Sequence, residues 1–166
     1  MSLNLERFIE IYEFARRAHG NQKRKTGEPY ITHPVAVSEI ARDYGADEST
    51  IYACLLHDVV EDTPVLLEEI ERRFGNDVAY LVDGVTEIKE DELATFLKVR
   101  GYAIPDKRVA LIKLADRIHN ILNPINNLKW RENYSKSTKF YIELGRELGF
   151  DEMASELEEL NESFVK

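Results

Sequence analysis

The chain has 166 residues and a formal net charge of −9, with 22 basic against 31 acidic side chains. That length suits one domain burying about 70% of its unfolded surface without disulfides or structural metals, and the acidic balance argues against a broad nucleic-acid surface, which needs clustered Lys and Arg. Cys54 is the sole cysteine, so no intramolecular disulfide forms, and no run reaches the roughly 18 apolar residues of a membrane span; a soluble, cytoplasmic protein with no signal peptide, nucleic-acid partner or membrane partner is expected.

Leu5, Phe8, Ile9, Tyr12, Ala15 and His19 recur at helical spacing and predict a first amphipathic helix that stops at Gly20. A loop over 21–33 follows, with the cationic triplet Lys23-Arg24-Lys25 and the turn Thr26-Gly27-Glu28-Pro29. Composition leaves the triplet open between a site for one small polyanion and a solvated charge run. Pro34 suits the start of a second helix over 35–44, and Asp47 suits the cap of a central helix whose apolar body is 51–60, ended by Thr63-Pro64. Helices are predicted over 65–74 and 78–85, then a charged, mobile segment over 87–107 broken by Gly101 and Pro105. A second core helix over 106–122 is apolar around most of its circumference, and amphipathic helices over 134–148 and 152–164 complete the chain. With no alternating strand, repeat, linker or low-complexity tract, the expected fold class is all-α, one domain over 1–166.

The central helix abruptly carries His57, Asp58, Glu61 and Asp62 among Leu55, Leu56, Val59 and Val60. At about 100° per residue these four share an arc of about 140°. Unpaired carboxylates in an apolar setting are costly, so a cation is expected beside them. The later core helix places Lys113, Asp116 and Asn120 on one face. His33, His57, Asp58 and Asp116 would bring two imidazoles and two carboxylates from three separated helices, a set that suits a divalent ion such as manganese or iron over thiolate-type zinc. Taken alone, His33 also fits an ordinary core histidine; the adjacent His57-Asp58 pair is the stronger signal. Lys113 stands between facing a ligand and pairing with a core carboxylate, and His19 and His119 read as structural or supporting groups.

Adjacent His and Asp ligands mark the HD-domain metal-dependent phosphohydrolases, which this chain resembles. The ordered blocks His19-Gly20, Arg24-Lys25, Gly27-Glu28-Pro29-Tyr30-Ile31 with His33-Pro34, the run from Leu55 to Thr63, Phe74-Gly75, the run from Leu81 to Thr86, and the run from Ile112 to Asn120 look like the hydrolase domain of the RelA/SpoT alarmone enzymes and their small stand-alone relatives. The resemblance implies a single-domain HD-type helical bundle in which His33, His57, Asp58 and Asp116 bind a divalent metal, usually manganese. It implies that Glu61 and Asp62 are the acidic pair acting on water or phosphate, and that Arg24, Lys25, Asn120 and Tyr141 face the nucleotide. The implied reaction is hydrolysis of guanosine 3′,5′-bis(diphosphate) and its pentaphosphate relative at the 3′ position, giving GDP or GTP and pyrophosphate. The alternatives are a phosphohydrolase of another nucleotide, such as a deoxynucleotide or phosphorylated dinucleotide, and an inactive nucleotide-sensing module; the Glu61-Asp62 pair counts against the last. The chain departs from the family where Ile121-Leu122-Asn123-Pro124 replaces the common Met-Arg-Thr, and where Glu87 stands for the lysine that often follows Val-Thr. A different substrate mouth is therefore expected.

Overall fold

Helical periodicity and caps account for most of the fold in the computed structural model, which describes residues 2–166. Helix α1 (Leu5–His19) begins where the Asn4 side chain accepts the Arg7 N–H, buries Ile11, Ala15 and His19 on one stripe, and ends at Gly20. Helix α2 (Thr32–Asp43) starts earlier than the predicted 35–44 and takes both His33 and Pro34 into its first turn. Helix α3 (Glu48–Leu56) is capped as expected, the Asp47 carboxylate accepting from the Thr50 N–H at 2.8 Å. Cys54 lies fully buried in it and packs as a small apolar side chain.

The predicted continuous helix over 51–60 does not form. It breaks at His57 and Asp58, and a short helix α4 (Val59–Asp62) follows. The Cys54 carbonyl, which a continuous helix would offer to the Asp58 N–H, instead lies 2.7 Å from His57 Nδ1 and 3.5 Å from the His57 backbone N. This tighter i to i−3 contact ends α3.

Helices α5 (Leu67–Phe74) and α6 (Asn76–Val85) meet at Gly75, whose φ of 94° suits glycine. The segment predicted as mobile over 87–107 instead contains helix α7 (Glu92–Ala103), started by Asp91 accepting from the Ala94 N–H at 2.8 Å. Helix α8 (Arg108–Leu122) is the hub, packed against α2, α3, α6, α7, α9 and α10. Its Ile112, Leu114 and Ile118 are at most 1% exposed, each contributing about 1.5–3 kcal/mol of apolar burial. Helix α9 (Leu128–Glu147) starts well before the predicted 134, where Asn127 accepts from the Trp130 N–H at 2.9 Å, and α10 (Asp151–Phe164) packs against it.

One side chain ties three helix starts together. Arg108 donates to Asp47 before α3 at 3.0 Å, to Asp77 in the first turn of α6 at 2.6 Å, and to Asp106 before α8 at 2.7 Å. The carboxylates oppose the positive ends of their helices, and Arg108 offsets their mutual repulsion. Among the described residues there is no strand, only an isolated antiparallel bridge between Lys23 and Pro29. No helix among them is long and apolar enough to cross a membrane.

Candidate functional site

The first turn of α2, the break between α3 and α4, and the middle of α8 face one another, and their polar side chains meet. His33 Nε2 lies 3.0 Å from Asp116 Oδ1 and 3.5 Å from Asp58 Oδ2. His57 Nε2 lies 3.1 Å from Asp58 Oδ2 and 3.6 Å from Asp116 Oδ1. Both rings are buried, at 1% and 4% exposure. The candidate ligand atoms of His33, His57 and Asp58 all fall within 4.8 Å of one another.

Hydrogen bonding at the far side of each ring sets its inward face. His57 Nδ1–H donates to the Cys54 carbonyl, which turns Nε2 inward, and Nε2 is buried without a hydrogen-bond partner. His33 Nδ1 lies 2.7 Å from His119 Nδ1. Burial, reinforced by His33 and Arg24, lowers the His119 pKa to about 4. A neutral His119 ring then accepts the His33 Nδ1–H and turns His33 Nε2 inward, 3.0 Å from Asp116 Oδ1.

Charge at the meeting point agrees. Burial opposes ionisation of His57, yet Asp58 and Asp116 hold its pKa well above the usual imidazole value, so the site favours positive charge at Nε2, for which a proton and a metal ion compete. Burial likewise opposes both carboxylates, but the facing imidazoles keep them ionised well below their ordinary range. An orphaned buried Nε2 beside two ionised carboxylates fits a divalent cation bound through nitrogen and oxygen donors.

One turn on, Glu61 Oε2 accepts from the Glu87 N–H at 3.2 Å. Burial first, then the charges of Glu87 and Asp58, raise the Glu61 pKa to about 7. Asp62 is raised by burial and by Asp58. The Tyr30 hydroxyl is shared between Asp58 Oδ2 at 2.6 Å and Asp62 Oδ2 at 3.0 Å, tying the two carboxylates together.

Beside this cluster the loop after α1 and the start of α9 enclose a cleft of about 280 Å³ lined by Lys23, Arg24, Lys25, Asn120, Asn123 and Trp130 among others. Asn120 joins cleft and cluster. Its Oδ1 accepts from Arg24 Nη2 at 2.9 Å, and its Nδ2 donates to Asp116 Oδ1 and to the Tyr134 hydroxyl, each at 3.0 Å.

One expected residue is placed differently. Tyr141, expected in the nucleoside pocket, is 2% exposed and packs on Arg117 and Phe96 instead of lining the cleft. Helical register on α9 turns it toward α8 and the core. Lys113 takes the ion-pair alternative, with Nζ 2.7 Å from Glu87 Oε1 and 3.7 Å from Asp116 Oδ2. Trp130 was not among the expected residues; its signal was the Asn127 cap followed by Leu128 and Trp130, which start α9 before the apolar stripe at 140–144.

The HD domain family model matches residues 12–150. The bifunctional (p)ppGpp synthase/hydrolase SpoT of Escherichia coli K12 is 42% identical over 94% of this chain, a match that spans 24% of that protein. Guanosine-3′,5′-bis(diphosphate) 3′-pyrophosphohydrolase of Aquifex aeolicus is 41% identical over 93% of the chain and 23% of its own length. The chain therefore spans about a quarter of the length of these relatives. A solved structure described as a metazoan ortholog of SpoT that hydrolyzes ppGpp superposes with a TM-score of 0.83 at 30% identity, covering 98% of both chains.

Proposed function

We propose, from the premise that this chain belongs to the HD domain family, that it hydrolyses guanosine 3′,5′-bis(diphosphate) and its pentaphosphate relative at the 3′ position, releasing pyrophosphate. The observation that carries this reading is the meeting of His33, His57, Asp58 and Asp116 around an orphaned His57 Nε2, next to a carboxylate of near-neutral pKa and a cleft bearing Arg24 and Lys25. Relatives named for this reaction, matched over nearly the whole of this chain, support it.

His33, His57, Asp58 and Asp116 would hold a divalent cation; the mixed nitrogen and oxygen donors suit manganese or iron, and the resemblance to the alarmone hydrolases favours manganese. Bound there, such an ion supplies Lewis acidity toward phosphate oxygen and a lowered pKa for water. Glu61 takes the proton of the attacking water, the role its pKa near 7 suits. The new bond joins the water oxygen to phosphorus, the bond from phosphorus to the 3′ oxygen breaks, and a proton goes to that oxygen. Asp62, held through the Tyr30 hydroxyl, orients the water. Arg24 and Lys25 offset the phosphate charge, Arg24 with paired donors and Lys25 as a compact charge. Asn120 fixes the Arg24 guanidinium against Asp116 and Tyr134, because both ends of its amide are engaged.

The test is a manganese-supplemented assay of purified protein against the tetraphosphate, deoxynucleotides and phosphorylated dinucleotides. Pyrophosphate release from the tetraphosphate is expected; turnover of another class without it overturns the reading. Metal analysis of variants separates the roles. Asp58→Ala is expected to lose both manganese and turnover, whereas Glu61→Gln keeps manganese and loses about 10²–10⁴-fold in rate.

A further inference from the structure

Trp130 is the one tryptophan of the chain, and it lines the same cleft as Arg24, Lys25 and Asn120. Binding of phosphate does not explain an indole there. One face of the ring is taken, because Tyr134 stacks on it with centroids 4.7 Å apart and planes 18° apart. Tyr134 is itself seated on the buried Arg117 guanidinium, 4.1 Å from its ring centroid. Phe164 meets the indole edge-on at 5.9 Å. Arg117 is anchored by Ser137 Oγ at 2.8 Å and Thr138 Oγ1 at 3.1 Å, so the stack rests on a fixed base. The Tyr134 hydroxyl accepts from Asn120, the residue that also touches Asp116 and Arg24. A half-buried aromatic plane thus lines the cleft that bears the cationic groups, and Tyr134 and Asn120 link it to the ligand cluster.

We propose that Trp130 is the platform on which the nucleobase of the substrate stacks, and that the cleft takes a purine nucleotide with its base on the indole and its phosphates toward Arg24 and Lys25. The proposal rests on reading the site as that of a nucleotide phosphohydrolase. It adds a residue that selects the base. A broad, flat purine covers more of an indole than a pyrimidine does, and loss of one base–aromatic stack weakens binding by about tenfold or more.

Because Trp130 is the sole tryptophan, its emission reports occupancy of the cleft in the unmodified protein. Titration with GDP is expected to quench that emission saturably, and UDP to do so only at about tenfold higher concentration. Calorimetric titration with GDP should show about tenfold weaker binding for Trp130→Ala and near-normal binding for Trp130→Phe. With the tetraphosphate as substrate, Trp130→Ala should raise KM by a similar factor and leave kcat within about twofold. Equal GDP affinity in wild type and Trp130→Ala overturns the proposal, as does equal response to GDP and UDP. The proposal and the reaction fail separately. Tetraphosphate hydrolysis with no response at Trp130 sinks the platform alone; GDP binding lost in Trp130→Ala, in a protein that does not cleave the tetraphosphate, sinks the reaction alone.

Discussion

Glu61 can take a proton from water only as a carboxylate, and its surroundings oppose that form, with burial the largest cause and Glu87 the next. A base with a pKa near 7 loses its working form as pH falls through 7, so kcat should fall on the acid side of that value. Glu87→Gln removes the negative charge that raises Glu61 most and frees Lys113, now paired with it at 2.7 Å. Both changes favour the Glu61 carboxylate. The acid limb of kcat should move to lower pH by about half a unit to one unit. A bound cation lowers the limb in both proteins, and the difference between them remains; coincident limbs would show that Glu61 is not the titrating base. Stability responds in the opposite sense. The folded pKa lies above the unfolded value of 4.5, so the contribution of Glu61 to stability is complete below about 4.5 and is lost as pH rises through about 7. The His57-Asp58 pair was legible in the sequence because ionisable neighbours stand out in an apolar run. The tuning of Glu61 was not, because Glu87 reaches it only through the packing of the segment after α6.

That segment is held by α7. Thr95 Oγ1 accepts from the Ile88 N–H at 2.9 Å and donates to the Ile88 carbonyl at 3.2 Å, and Lys98 Nζ donates to the Thr86 carbonyl at 3.2 Å. Helices α6 and α7 close on each other at Gly84, where an added Cβ would lie 2.9 Å from Tyr102 Cδ1 and 3.0 Å from its Cβ. Tyr102 has little freedom to yield, since its hydroxyl is bonded to Asp83 and its Cβ moves only with the backbone. Gly84→Ala should therefore push α7 outward, cost about 1–3 kcal/mol in denaturant unfolding, and lower kcat by displacing Glu87. Adding Tyr102→Ala reopens the space, so the double variant should be less destabilised than the sum of the two single ones. Strict additivity would mean that this contact does not set the helix spacing. The sequence hid α7 because its apolar residues lie on more than one side: Thr95, Val99 and Ala103 are buried, whereas Leu93 and Leu97 are exposed. No single stripe announces it, and its charged flanks resemble a loop. The break after α3 was hidden for another reason, since a histidine side chain competing for a backbone carbonyl leaves no trace in hydrophobic spacing.

At the level of the whole molecule the all-α class was legible, because most core positions follow helical spacing and glycine or capping residues mark the ends of α1, α3 and α5. What spacing does not supply is the meeting of α2, the α3–α4 break and α8, which depends on tertiary packing around the hub helix. That same dispersal makes cation binding a test of the global fold. Unfolding scatters His33, His57, Asp58 and Asp116 over three distant parts of the chain, so an ion held by all of them binds the folded state alone. Manganese at 100 times its dissociation constant should then add about 2.7 kcal/mol of stability. For a domain of this size that corresponds to a rise in Tm of about 5–10 °C over protein in chelator. Asp116→Asn keeps the shape of the side chain and the Asn120 neighbour but weakens one ligand, and the rise should shrink to about 2 °C or less. The comparison is made within each protein, with and without manganese, so any intrinsic cost of the substitution cancels. An equal rise in Asp116→Asn would place the bound ion elsewhere, and no rise in wild type would show that these donors do not hold manganese.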